Sequence, residues 1–146
     1  MAALPATERI LKGRQPGVTA ETNDDVLTGI RVLVVEDEAA ISMLLEDMLL
    51  DFGCTVVGPA ARLSTALEMA EAETYTVAIL DVNVAGEPIY PVAEAIARRG
   101  LPLVFSTGYG GAGIREPFRD RPVVQKPFSQ ADLKRTLTGA VKAAQG

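Results

Sequence analysis

Short apolar runs rich in β-branched residues recur five times along this chain, and segments whose apolar residues repeat at helical spacing lie between them. The run Ile30-Arg31-Val32-Leu33-Val34-Val35 offers water almost no polar face, so it suits a strand covered on both sides. Ile41, Leu44, Leu45, Met48 and Phe52 follow at helical intervals, and Gly53 ends that segment. Cys54-Thr55-Val56-Val57 reads as a second strand, and Leu63, Ala66, Leu67 and Ala70 mark a helix running to about Glu73. Thr76 to Asp81 returns to strand. Beyond a loop with Gly86 and Pro88, Val92 to Arg99 reads as a third helix, closed by Gly100. Leu101-Pro102-Leu103-Val104-Phe105 is a fourth strand, with Pro102 tolerable only near its start. Pro122-Val123-Val124-Gln125 is a fifth. Ser129-Gln130-Ala131-Asp132 has the form of a capping box and opens a last helix with Leu133, Leu137 and Val141 inward. Strands alternating with helices require right-handed crossovers, which gives an α/β, doubly wound domain around a five-stranded parallel sheet. The stretch from Gly108 to Asp120 holds four glycines and Pro117, so a fourth helix there is expected to be weak or irregular.

A chain of 146 residues has room for one such domain. Its expected extent is residues 30–146. Residues 1–29 read as an N-terminal extension and a mobile one, because Ile10 and Leu11 are too small an apolar cluster to offset the ordering entropy. Fourteen basic against nineteen acidic residues leave a net charge of -5, which argues against a nucleic-acid partner. No run approaches the ~20 apolar residues of a membrane helix, and no leader pattern opens the chain. A cytoplasmic protein without a membrane partner is expected. The chain has no histidine and a single cysteine, Cys54. Ser-His-Asp and Cys-His catalysis, histidine–zinc sites and intrachain disulfides are thereby excluded.

In a doubly wound sheet, ligands bind beyond the carboxyl ends of the strands. That rule selects Glu36 and Asp37 after the first strand, Asp81 after the third, Ser106 and Thr107 after the fourth, and Lys126 after the fifth. Carboxylates ~4 Å apart repel by about 4 kcal/mol per pair at an effective dielectric of 20. A divalent cation relieves that repulsion. A donor set of oxygens alone favours magnesium, and a carboxylate facing magnesium, a lysine and a hydroxyl is equipped to attack phosphorus. A nucleotide-binding loop after strand one would be rich in glycine, whereas this chain has Glu36-Asp37-Glu38. The haloacid-dehalogenase type of phosphatase places a second acid two residues beyond its nucleophile, where this chain has Asn83.

The segments Val34-Val35-Glu36-Asp37-Glu38, Ile79-Leu80-Asp81-Val82-Asn83, Phe105-Ser106-Thr107-Gly108 and Gln125-Lys126-Pro127-Phe128 together resemble the receiver domain of two-component response regulators. The resemblance covers about four fifths of the chain, from Ile30 to Gln145. It implies a flavodoxin-like strand order of 2-1-3-4-5, Asp81 as phosphoacceptor and also a metal ligand, Asp37 as a direct magnesium ligand, and Glu36 assisting through water. It also implies that the Asn83 backbone carbonyl binds the metal, that Thr107 and Lys126 hold phosphoryl oxygens, and that the bond before Pro127 is cis. Many receivers carry an aromatic residue three positions before the lysine, where this chain has Val123. Phe105-Ser106-Thr107-Gly108-Tyr109 instead resembles the alphaproteobacterial single-domain regulators with a Phe-Ala-Thr-Gly-x-Tyr motif, with serine for alanine and the tyrosine one place earlier. Tyr109 joins Thr107 as a candidate switch residue.

The function this implies is a stand-alone receiver, not an enzyme beyond its own phosphorylation and slow autodephosphorylation. It takes a phosphoryl group from a histidine kinase or histidine phosphotransfer protein and signals to a downstream protein target or relay. The alternatives are a phosphate sink without a dedicated target and a phosphatase-like enzyme on the same fold.

Overall fold

The computed structural model describes residues 26–108 and 113–145. The elements run β1 (Arg31–Val35), α1 (Ala39–Asp51), β2 (Thr55–Ala60), α2 (Leu63–Ala72), β3 (Val77–Asp81), β4 (Asn83–Val84), β5 (Glu87–Pro88), α3 (Tyr90–Arg98), β6 (Leu103–Thr107), β7 (Val123–Gln125) and α4 (Gln130–Gln145). Five strands form one sheet in the order β2-β1-β3-β6-β7, every neighbouring pair parallel. Counted without the small β4–β5 ribbon, this is the flavodoxin-like order 2-1-3-4-5.

Strand residues point alternately to opposite faces, and that period divides the core in two. Leu33 and Val35 of β1, with Ala78 and Leu80 of β3, join Leu103 and Phe105 of β6 against α2 and α3. Val32, Val34, Val77, Ile79 and Val104 face the other way, onto Leu45 and Leu49 of α1 and Leu133 and Leu137 of α4. Both faces of the sheet are covered, so the central strands are apolar on both sides until they reach their carboxyl ends. That requirement explains the continuous runs that first marked the strands. Ser129 and Asp132 do form a reciprocal box at the start of α4: the Asp132 N–H donates to Ser129 Oγ at 3.0 Å, and the Ser129 N–H to Asp132 Oδ2 at 3.4 Å.

Several boundaries differ from the sequence expectation. Strand β2 continues through Gly58-Pro59-Ala60, because it is an edge strand whose outer side needs no ladder donor. Ser106 and Thr107 are the last residues of β6 rather than part of a following loop. The loop after Asp81 contains the antiparallel ribbon β4–β5, which the sequence reading lacked. Its turn needs positive φ at both Ala85 and Gly86, and Ala-Gly is a weak signal for such a turn. The described residues 113–122 form turns and no helix. Ile114 and Phe118 anchor them in the core, and the Phe118 ring stacks on Tyr90 at 6.1 Å.

The boundary expected at Ile30 also moves. Leu27 is fully buried against the α1 and α4 layer, and the Gly29 N–H donates to the Gly53 carbonyl at 2.9 Å. The packed unit therefore includes residues 26–29, while residues 1–25 of the expected extension lie outside the described part.

Candidate functional site

The strand ends converge as the topology requires. Glu36 follows β1, and its carboxylate is almost fully buried. The Glu38 N–H donates to Glu36 Oε2 at 3.1 Å, and Lys126 Nζ lies 3.0 Å from Oε1. Asp81 ends β3 and pairs with Ser106 of the adjacent strand. Its Oδ2 accepts from Lys126 Nζ at 3.2 Å, and its Oδ1 accepts from the Asn83 N–H at 3.4 Å. Asp37 is more exposed, and its Oδ2 accepts a hydrogen bond from the Ala85 N–H at 2.9 Å. One carboxylate oxygen from each of Glu36, Asp37 and Asp81 falls within 4.8 Å of the others.

Asp37 and Asp81 line an open cleft of about 540 Å³ with Asn83, Thr107 and Lys126 on its walls, and the buried Glu36 carboxylate reaches it through Lys126. Thr107 is buried at the end of β6, and its carbonyl accepts from the Lys126 N–H at 2.8 Å. The phosphate-facing candidates on β6 and after β7 are thus tied by backbone. The Lys126–Pro127 bond is cis, as the resemblance implied. Glu38 is two-thirds exposed at the start of α1, and its Oε1 is 3.9 Å from Lys126 Nζ.

The electrostatics follow from this crowding. Burial pushes the Glu36 carboxyl up to about 6, helped by the Asp81 charge and opposed by the Glu38 N–H and Lys126. For Lys126, burial works to lower the ammonium, but the Glu36 hydrogen bond and the charges of Asp81 and Glu36 outweigh it and the net direction is upward. One ammonium inside three carboxylates leaves an excess of negative charge. The donors are all hard oxygens, one of them buried, which is the set that suits a divalent cation of the magnesium type. Cys54 is buried on the far side of this chemistry, its thiol pushed up to about 11 by desolvation, so it is inert as a thiolate.

The response regulator receiver domain profile matches residues 32–138. The chain belongs to this family. Among solved structures, the receiver resembles SdrG from Sphingomonas melonis Fr1 at 42% identity and a TM-score of 0.67, covering 83% of this chain and 98% of SdrG. The REC domain of the PhyR response regulator from Erythrobacter litoralis is 29% identical with a TM-score of 0.70, over 80% of this chain and 92% of that domain. Among curated sequences, the transcriptional regulatory protein PdtaR of Mycobacterium tuberculosis is 35% identical over 121 residues, 80% of this chain. The chain spans 59% of the length of PdtaR.

Of the residues the sequence singled out in this receiver, Glu36, Asp37, Asp81, Asn83, Thr107 and Lys126 meet at one cleft. Ser106 does not: it is buried on the opposite face of β6 from Thr107, with its hydroxyl unpaired. Tyr109 lies outside the described residues. Sequence reasoning missed Ala85, which reaches Asp37 through its backbone alone. A side-chain pattern carries no signal for such a contact.

Proposed function

We propose that this receiver accepts a phosphoryl group on Asp81 from a phosphohistidine of a kinase or phosphotransfer protein. The observation that carries the reading is the position of Asp81: its Oδ2 is 3.2 Å from Lys126 Nζ, and its carboxylate opens onto the cleft that holds Asp37 and Thr107. An oxygen of Asp81 attacks phosphorus, the new P–O bond replaces the P–N bond, and the electron pair returns to the imidazole of the donor. Lys126, released from Asp81, holds one equatorial oxygen of the transferred group, and the Thr107 hydroxyl donates to another. Glu36, Asp37, Asp81 and the Asn83 carbonyl would hold magnesium, which when bound would offset the carboxylate charge and supply a site for phosphoryl oxygens.

The phosphorylated receiver acts in the cytoplasm as a switch on a downstream protein target. The similarity to SdrG, whose BeF3-activated conformation has also been solved, supports a switch over a phosphate sink or a phosphatase-like enzyme. Incubation with phosphoramidate, which carries a P–N bond, tests the reading. The account expects one magnesium-dependent phosphoryl adduct that hydroxylamine removes, as it does an acyl phosphate. Multiple turnover of phosphoesters without an adduct would favour the enzyme alternative.

A further inference from the structure

Two backbone amides of the β4–β5 ribbon point at the acidic cluster. The Asn83 N–H donates to Asp81 Oδ1 at 3.4 Å, and the Ala85 N–H to Asp37 Oδ2 at 2.9 Å. Residues two apart on a strand project their amides from the same edge. The Asn83 amide on the outer edge of β4 and the Ala85 amide, at the start of the turn that follows, therefore face Asp81 and Asp37 from the same side. Residues that share an edge also present their carbonyls there, so the Asn83 carbonyl lies on the same side as these amides.

The ribbon is anchored on both flanks. Val84 and Ile89 are fully buried, and the Ile89 N–H donates to the Val82 carbonyl at 2.9 Å. Ala85 (φ +53°) and Gly86 (φ +83°) turn the chain at the tip. No other described residue besides glycine has a positive φ. A turn with both central φ values positive closes the ribbon, and the amide of its first residue is held against Asp37, which sits 48 positions earlier in the chain.

We infer that the Ala85 amide is a positioning group for the divalent-cation site. It fixes one oxygen of the otherwise exposed Asp37 carboxylate and leaves the second for the metal. The inference rests on the proposed magnesium site, and its test has one arm that needs no metal. Outer groups that orient a ligand typically change metal affinity by ~10–100-fold when lost.

The first arm is amide hydrogen exchange on the metal-free protein. Asp37→Ala removes the acceptor and should speed exchange at Ala85 at least tenfold while β1 and β3 keep their protection. Unchanged exchange at Ala85 overturns the inference.

The second arm is calorimetric titration with magnesium chloride. A side chain at Gly86 meets open space, so its effect comes through backbone alone. Gly86→Val, which cannot hold the positive φ, should weaken magnesium binding ~10-fold or more. Gly86→Asn, which tolerates it, should stay within about twofold of the parent. Equal affinities for Gly86→Val and the parent overturn the positioning role. A parent that binds no magnesium overturns the metal site, and with it the role of Ala85 toward a cation.

Discussion

Replacing Lys126 with methionine removes the one ammonium that lies within 3.2 Å of both Glu36 and Asp81 while keeping an apolar stem of similar length. At an effective dielectric of 20, each of these contacts is worth about 5 kcal/mol of gross attraction. Most of that is offset by the desolvation of the lysine. Deleting one member of a buried pair costs ~3–5 kcal/mol in net terms. The lysine side chain is 17% exposed to the cleft, which places the loss at the lower end, about 3 kcal/mol. The pH dependence identifies the cause. Glu36 is raised to about 6 in the folded protein against an ordinary 4.5. In this window the folded state holds more proton than the unfolded state, so stability contributed by the group increases as pH falls from 7 toward 5. Without Lys126 its hydrogen bond and its charge no longer lower Glu36, only the Glu38 N–H still does, and the window widens upward. Urea unfolding of parent and variant should therefore show a deficit near pH 7 that narrows near pH 5. Magnesium at about 100 times its dissociation constant should stabilise the parent by about 2.7 kcal/mol, and the variant by more. A variant within about 0.5 kcal/mol of the parent near pH 7, or a deficit that pH leaves unchanged, would refute the reasoning.

Magnesium titration should separate neighbouring acids: Asp37→Ala loses a ligand and a charge and binds at least tenfold more weakly, whereas Glu38→Ala, at the exposed start of α1, changes affinity by no more than about twofold. Because magnesium competes with the proton on Glu36, its affinity should rise between about pH 5 and pH 7; a flat profile by calorimetry would exclude Glu36 from the site. Leu27→Ala should lower unfolding stability by ~2–5 kcal/mol, since Leu27 is fully buried, and a neutral result in urea would return residues 26–29 to the extension.

Much of this architecture was legible because both faces of the sheet are covered. Central strands such as Val32 to Val35 can carry no polar residue, so their runs announce themselves, and the strand-end rule then selects Glu36, Asp37, Asp81 and Lys126. The parts that stayed hidden are those written in backbone. Gly58-Pro59 reads as a strand stop, yet an edge strand passes through it. Ala85 and Gly86 form a hairpin turn without an asparagine to signal it, and the Ala85 amide then becomes part of the site. Leu27 stayed hidden because its partners, on α1 and α4, are distant in sequence. Ser106 was drawn in by its neighbour Thr107, and the two-residue period of the strand turns it away.

The central claim is that Asp81 is the nucleophile. Peptide mass spectrometry after incubation with phosphoramidate and magnesium tests it most directly. The parent should carry one phosphoryl group, located on the peptide containing Asp81 and absent when magnesium is chelated. Asp81→Asn, which keeps the shape of the side chain and removes its charge, should carry none. Equal phosphorylation of Asp81→Asn and the parent, or an adduct on another residue of the parent, would contradict the account.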